Sequence, residues 1–238
     1  MKVTYIHHSC FLVETDSCYY LFDYEKGALP PLDVTKKIYV LSSHGHHDHY
    51  NPEIFALLRS RGMQIIYGIL SDEIPVPANV IGDTAVLANV KIMQVSPGKE
   101  YDLDDRQKLT TFQSTDLGVA FLVEDIDDGD QKRIIYHAGD LNDWVWDEES
   151  DAYNEQMTKD YRKQIDLLAE KLNQQTIDAA FVVLDPRQEK DYDRGLCYFL
   201  EQVPVKKVYP MHYWGSPYII GTFLEEHPQY KHKIPRTE

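Results

Sequence analysis

Residues 42–50 read SSHGHHDHY, a stretch dense in side chains that can ligate a metal ion. His44 and His46 are two positions apart, so on an extended segment both side chains project to one side. Asp48 continues that alternation, and His49 stands where the chain turns towards a helix start at Asn51. Imidazole nitrogens and a carboxylate oxygen on a short loop beyond a strand suit Zn²⁺, Fe²⁺ or Mn²⁺. Gly45 leaves room beside these donors. His47 falls out of the alternation and is expected to point away. The bland alternative is a run of solvated histidines before a helix. A lone histidine would favour it; three in this pattern with an aspartate, after an apolar strand, favour metal.

The elements that must position these residues can be read from periodicity. Val3–Ile6, Cys10–Thr15 and Tyr19–Phe22 are rich in β-branched and aromatic residues and read as strands. The apolar run Ile38–Leu41 ends in Ser42 and Ser43, just before the histidines. Asn51 is a good N-cap, Pro52 suits a first turn and Glu53 complements the helix dipole. Ile54, Leu57 and Leu58 supply the apolar stripe of that helix. Further strands are expected near Gln64–Ile66, Val90–Val95, Leu109–Phe112, Val119–Glu124 and Arg133–His137. Asp125–Asp130 (DIDDGD) reads as a hairpin turn, since it lacks the spacing and terminal glutamate of a calcium loop. The longest helix is expected within Asp151–Asn173. There Tyr153, Met157, Tyr161, Ile165, Leu168 and Leu172 form one face, read as core packing. Ala179–Leu184 reads as a buried strand, Arg194–Gln202 as a helix, Lys207–Tyr209 as a last strand and Ser216–Glu225 as a closing helix. Strands first, then strands alternating with helices, indicate a layered α/β architecture. No composition break marks a boundary, so one domain over residues 1–238 is expected.

Composition narrows the function classes. The chain has 238 residues, 43% apolar and 26% charged, enough for a sizeable core. A formal net charge of −15 repels a phosphate backbone, which disfavours long nucleic acid and leaves a small molecule as the expected partner. No apolar run reaches the length of a bilayer span, and two histidines interrupt the first apolar stretch, MKVTYIHHSCFLVET, so neither a membrane nor a signal peptide is expected. Three scattered cysteines, Cys10, Cys18 and Cys197, fit free thiols in a reducing cytoplasm.

The cluster matches H-x-H-x-D-H and resembles the motif of the metallo-β-lactamase superfamily. The resemblance runs along the chain: Asp23 ending YYLFD, Asp140 in YHAGDLN and His212 in VYPMHYWG stand where that family has its early aspartate, its bridging carboxylate and its last histidine ligand. It implies a four-layer αββα sandwich. It also implies a divalent-metal cofactor, one or two Zn²⁺ with Mn²⁺ or Fe²⁺ as alternatives. His44 and His46 would hold a first metal, Asp48, His49 and His212 a second, and Asp140 would bridge. Asp48 and Asp140 are the carboxylates assigned to catalysis. One position departs from the family. Where a further histidine is usual, STDLGVAFLVE places Thr115, with Asp116 beside it: either Asp116 ligates the first metal in its stead or that position is left to water. The segments HHSCFLVE, GVAFLV, YHAGDLNDW and PMHYWG are similar to the L-ascorbate-6-phosphate lactonase-like branch.

Chemistry follows from that resemblance. A divalent cation on these donors lowers the pKa of water from about 16 towards neutrality and polarises the bond to be cut. The implied activity is hydrolysis of a lactone, ester or amide in a small, anionic metabolite. A phosphodiesterase is the alternative, and a non-catalytic metal-binding protein a third reading. His8, Arg187, Trp144 and Tyr213 are the candidate substrate contacts. For Arg187 an ion pair with Asp185 or Glu189 competes, and for Trp144 ordinary aromatic packing. His137 is read as structural.

Overall fold

Two six-stranded mixed sheets organise the chain in a computed structural model, which describes residues 1–76, 90–127 and 129–235. The chain divides into two compact units. Met1–Ser96 with Asp127–Gln131 form the first, and Pro97–Ile126 with Lys132–Glu238 the second.

The first unit orders its strands as they occur: β1 (Lys2–His7), β2 (Cys10–Glu14), β3 (Cys18–Phe22), β4 (Lys37–Ser42), β5 (Gln64–Ser71) and β6 (Ile92–Val95). β1 to β3 pair antiparallel; from β3 onward the pairs are parallel. Central parallel strands are covered on both faces, so they read as continuous apolar runs, and β3 is buried at every position. Helix α1 (Glu53–Ser60) places Ile54, Phe55 and Leu58 in a core with Leu21, Val40 and Leu70. The Asn51 side chain accepts from Glu53 N at 3.0 Å, so the expected cap acts at the helix start. Gly68 on β5 lets α1 approach closely: a Cβ there would sit 2.8 Å from the Phe55 ring.

The second unit runs β7 (Glu100–Asp102), β8 (Gln107–Gln113), β9 (Val119–Ile126), β10 (Lys132–His137), β11 (Ile177–Val183) and β12 (Val205–Met211) across its sheet. β7 to β10 pair antiparallel, and β10, β11 and β12 are parallel. Among its described residues are the α-helices α2 (Asp151–Leu172), α3 (Arg194–Gln202) and α4 (Tyr218–Glu226). Ser150 caps α2, its side chain accepting from Tyr153 N. Tyr161, Ile165, Leu168 and Leu172 are buried as the periodicity predicts. The first two members of that stripe depart from the expected core packing: Tyr153 is exposed and Met157 only partly buried, for a reason given below. In the expected turn, the Asp127 carboxylate accepts from Gly129 N and Gln131 N, and Asp128 lies outside the described residues. No helix among the described residues is long and apolar enough to cross a membrane.

Candidate metal centre

In the first unit the candidate residues leave the C-terminal ends of neighbouring parallel strands, where side chains from several loops can meet. Asp23 follows β3 and Ser43–His44 follow β4, whose last residues pair as Phe22 with Leu41. Asp23 is fully buried and holds a positive φ of 44°, uncommon for a residue with a Cβ. Its carboxylate accepts from Ser43 N at 2.7 Å, from Ser43 Oγ at 2.6 Å and from His49 Nδ1 at 2.8 Å. A carboxylate only accepts, so His49 carries its proton on Nδ1 and turns the lone pair of Nε2 outward. The same logic passes through Ser43. Its hydroxyl proton goes to Asp23, its oxygen accepts from His44 Nδ1 at 3.0 Å, and His44 Nε2 is again the ligating atom.

The loop then gathers its donors. The His44 ring centroid lies 4.6 Å from that of His46 and 4.1 Å from that of His49. Asp48 Oδ2 is 4.0 Å from His49 Nε2 and 3.4 Å from His8 Nε2. His8, which follows β1 with a φ of 48°, is buried with its ring edge-on to His49. The sequence suggests a substrate contact near the metal edge or a buried hydrogen-bonded histidine; the His8 donor atom lies within 4.8 Å of those of Asp48 and His49. Glu73, after β5, accepts from Gly45 N at 2.8 Å and so ties down the loop between the first two histidines. Burial raises its carboxyl pKa against the opposing pull of Gly45 N–H and His46. His47 is exposed and lies outside these groups.

The second unit repeats the device. Asp140, Asp185 and His212 come just after β10, β11 and β12, three neighbouring parallel strands. His212 Nδ1 lies 2.8 Å from the fully buried Asp185 Oδ2, and its Nε2 lies 3.4 Å from Asp140 Oδ1. Burial by itself raises the Asp185 carboxyl, but hydrogen bonds from His212 and Arg187 prevail and hold it below the ordinary carboxylate range. Arg187 binds Asp185 through Nε at 2.9 and 3.0 Å and Nη2 at 2.5 Å, which is the ion pair foreseen as the competing reading. The guanidinium also lies over the Trp214 ring at 4.6 Å. Trp144 Nε1 donates to the Asp140 carbonyl at 2.9 Å, and its ring stacks on Trp146 and meets His212 edge-on.

A cavity of about 160 Å³ opens within this unit, lined by Asp140, His212, Asp116, Arg187 and the Trp144–Trp146 stack. Tyr153 and Met157 of α2 line it too, which is why the start of that stripe left the core. Periodicity marks an apolar face but not whether protein or an open space lies opposite. Tyr213 is not part of this lining: it is buried, because the chain turns sharply at His212 (φ 64°) and sends successive side chains different ways. Thr115 does line the cavity, with its hydroxyl already engaged. Its hydroxyl donates to Asn142 O at 2.6 Å and accepts from Asn142 N at 3.0 Å, bracing the loop that carries Asp140. Asp116 beside it is exposed at the cavity. His137 is fully buried, accepts from Gly139 N at 3.1 Å and packs on Phe181.

No family model matches the sequence, and no curated protein matches it. Solved structures do. Igni18, a metallo hydrolase from the archaeon Ignicoccus hospitalis, superposes with a TM-score of 0.65 at 16% identity, over 99% of this chain and 94% of that one. CmlA, a diiron beta-hydroxylase from Streptomyces venezuelae, gives 0.61 at 13% identity, over 98% of this chain and 52% of that one. Zn²⁺-bound PqqB from Methylobacterium extorquens gives 0.50 at 12% identity, over 95% and 82%. The fold is the αββα metallo-β-lactamase fold. A hydrolase and a hydroxylase share it, so chemistry must be argued from the side chains.

Proposed function

We propose that this protein is a metal-dependent hydrolase, residues 1–238 acting as one catalytic domain, that cleaves a lactone, ester or amide bond in a small anionic metabolite. One observation carries the reading. In each unit a fully buried carboxylate fixes the tautomer of one histidine, Asp23 for His49 and Asp185 for His212, and leaves Nε2 beside a second carboxylate. That carboxylate–histidine arrangement orients and strengthens metal ligands. The 3.4 Å between His212 Nε2 and Asp140 Oδ1 is the separation that tetrahedral Zn–N and Zn–O bonds of about 2.1 Å would span. The proposed ligands are His44, His46, Asp48, His49, Asp140 and His212, with His8 and Asp116 as further donors. All offer nitrogen or oxygen, which suits Zn²⁺, Mn²⁺ or Fe²⁺ alike; the zinc of PqqB favours the first.

A bound cation supplies activated water and polarises the scissile bond. The chain supplies the rest. Asp48, set between His8 and His49, is placed to take up a proton, and Asp140 faces the cavity where the substrate would bind. Arg187 spends Nε and Nη2 on Asp185, which leaves Nη1 as a donor for a substrate anion. The Trp144–Trp146 stack gives the cavity an apolar wall. The lactonase-like branch enters this proposal only through the sequence segments that resemble it.

Metal analysis of the purified protein, with activity screens on a lactone, a carboxylic ester and a phosphodiester, tests this. Bound divalent metal and chelator-sensitive turnover of a lactone or ester are expected. Turnover of the phosphodiester alone would move the reading to a phosphodiesterase, and activity that resists chelation would end it.

A further inference from the structure

Away from these residues, the second unit holds another set of mixed donors. Asp193 immediately precedes α3, Cys197 stands one turn further on the same helix face, and His227 closes α4. Their donor atoms lie within 4.8 Å of one another. His227 Nε2 is 2.6 Å from Asp193 Oδ2 and 3.6 Å from Cys197 Sγ, and Cys197 Sγ is 3.8 Å from Asp193 Oδ2. Cys197 Sγ also lies 4.0 Å from His227 Nδ1, so Nε2 points at the carboxylate and the sulfur stands beside the ring.

From this geometry we propose that Asp193, Cys197 and His227 form a second metal site, selective for a thiophilic divalent cation of the Zn²⁺ class. Tetrahedral bonds of about 2.3 Å to sulfur and about 2.1 Å to nitrogen and oxygen put ligand atoms about 3.4–3.6 Å apart. Both sulfur separations fall within about 0.3 Å of that. The imidazole and carboxylate must open by about 0.8 Å, exchanging their direct hydrogen bond for a shared ion, and the Cys197 side chain must turn its sulfur towards Nε2. The thiol releases its proton to solvent as the metal–sulfur bond forms. Burial and Asp193, then Glu201 and Glu226, push the Cys197 thiol up to about 12; the acidic neighbours attract a cation, which must displace that proton. Phe223 packs on the imidazole at 4.7 Å and holds its plane, while Tyr192 binds Glu226 and keeps that carboxylate close. Asp193 and His227 keep 21% and 23% of their side chains exposed, so an ion can reach them from solvent.

The donor set makes the test specific. Every residue proposed for the hydrolytic centre binds through nitrogen or oxygen, so a thiolate signal reports this second site alone, whatever the fate of the hydrolase reading. Metal-stripped full-length protein is titrated with Co²⁺ and followed in the near ultraviolet for thiolate-to-cobalt charge transfer. The expected result is a band that saturates at one equivalent and is bleached by Zn²⁺. In Cys197→Ser the band is lost while the remaining cobalt absorption persists, and in His227→Asn cobalt binds there about 100-fold more weakly. A wild-type protein without the band at saturating Co²⁺ would overturn the proposal with no variant needed. So would a band that survives in Cys197→Ser.

Discussion

Asp23→Asn separates an orienting role from mere burial. The change keeps the shape and removes one charge. With its remaining oxygen at the Oδ1 position, asparagine still accepts from Ser43 N. Its NH₂ then replaces Oδ2 and faces two donors, Ser43 Oγ–H and His49 Nδ1–H. Each hydrogen bond to a buried charge contributes about 1.5–3 kcal/mol. Rotation of the serine hydroxyl recovers part of that, so a net loss of about 3 kcal/mol is expected, or roughly 6–12 °C in Tm for a chain of this size. His49 can meet the new donor only by moving its proton to Nε2, the atom it would offer to metal. Metal affinity should therefore fall by about 10–100-fold. Thermal melts and chelator-competition titrations measure the two effects separately. Ser43→Ala cuts only the branch to His44 and should give the smaller loss in both. An Asp23→Asn protein that binds metal as tightly as wild type would refute the tautomer argument, whatever its melting temperature.

Three further substitutions probe other parts of the second unit. Gly195→Ala adds a Cβ that would lie 1.9 Å from Asn142 Oδ1, and Asn142 is pinned by its bond to Gln188. Overpacking of about 3 kcal/mol, offset by about 1 kcal/mol of helix propensity, leaves a net loss of about 2 kcal/mol; denaturant melts should show it, and an unchanged midpoint would contradict the packing. Thr115→Val keeps the shape but removes the hydroxyl that bridges Asn142 N and O, and should cost about 1–3 kcal/mol in the same assay. Arg187→Gln should raise KM for an anionic substrate by about tenfold and leave a neutral analogue's KM within about twofold. Equal effects on both would remove Arg187 from substrate recognition.

What the sequence discloses, and what it withholds, follows the range of the interaction concerned. The strand runs, the cap at Asn51 and the long α2 are local patterns, and they appear where periodicity and capping rules place them. The candidate donors His44, His46, Asp48 and His49 were legible because they crowd into one short motif. Asp185 was visible only as a neighbour of Arg187. Its bond to His212 spans 27 residues and depends on β11 and β12 lying side by side in register, which no local pattern encodes. His8 reaches Asp48 from a strand end 40 residues earlier, after an irregular step in the β1–β2 pairing. Glu73 is a similar case, meeting Gly45 only because β5 lies beside β4. A motif search finds the donors; strand register decides which carboxylate orients which ring.

Left-handed backbone occurs at strand ends beside the proposed ligands as well as at ordinary turns such as Asp130, Asn173 and Gln174. Among the described residues, His8, Asp23, His212 and Trp214 all adopt positive φ, between 44° and 64°, and all four touch a proposed ligand or are one. Left-handed backbone costs such residues about 1–3 kcal/mol each, and glycine would relieve it. Glycine could not, however, carry the imidazole of His8 or His212, the carboxylate of Asp23 or the indole that donates to Asp185. At Gly98 and Gly118, where φ is also positive, no donor side chain is required and glycine stands there. Strain retained where a metal-binding or orienting side chain must follow the end of a strand is the pattern expected of a working centre.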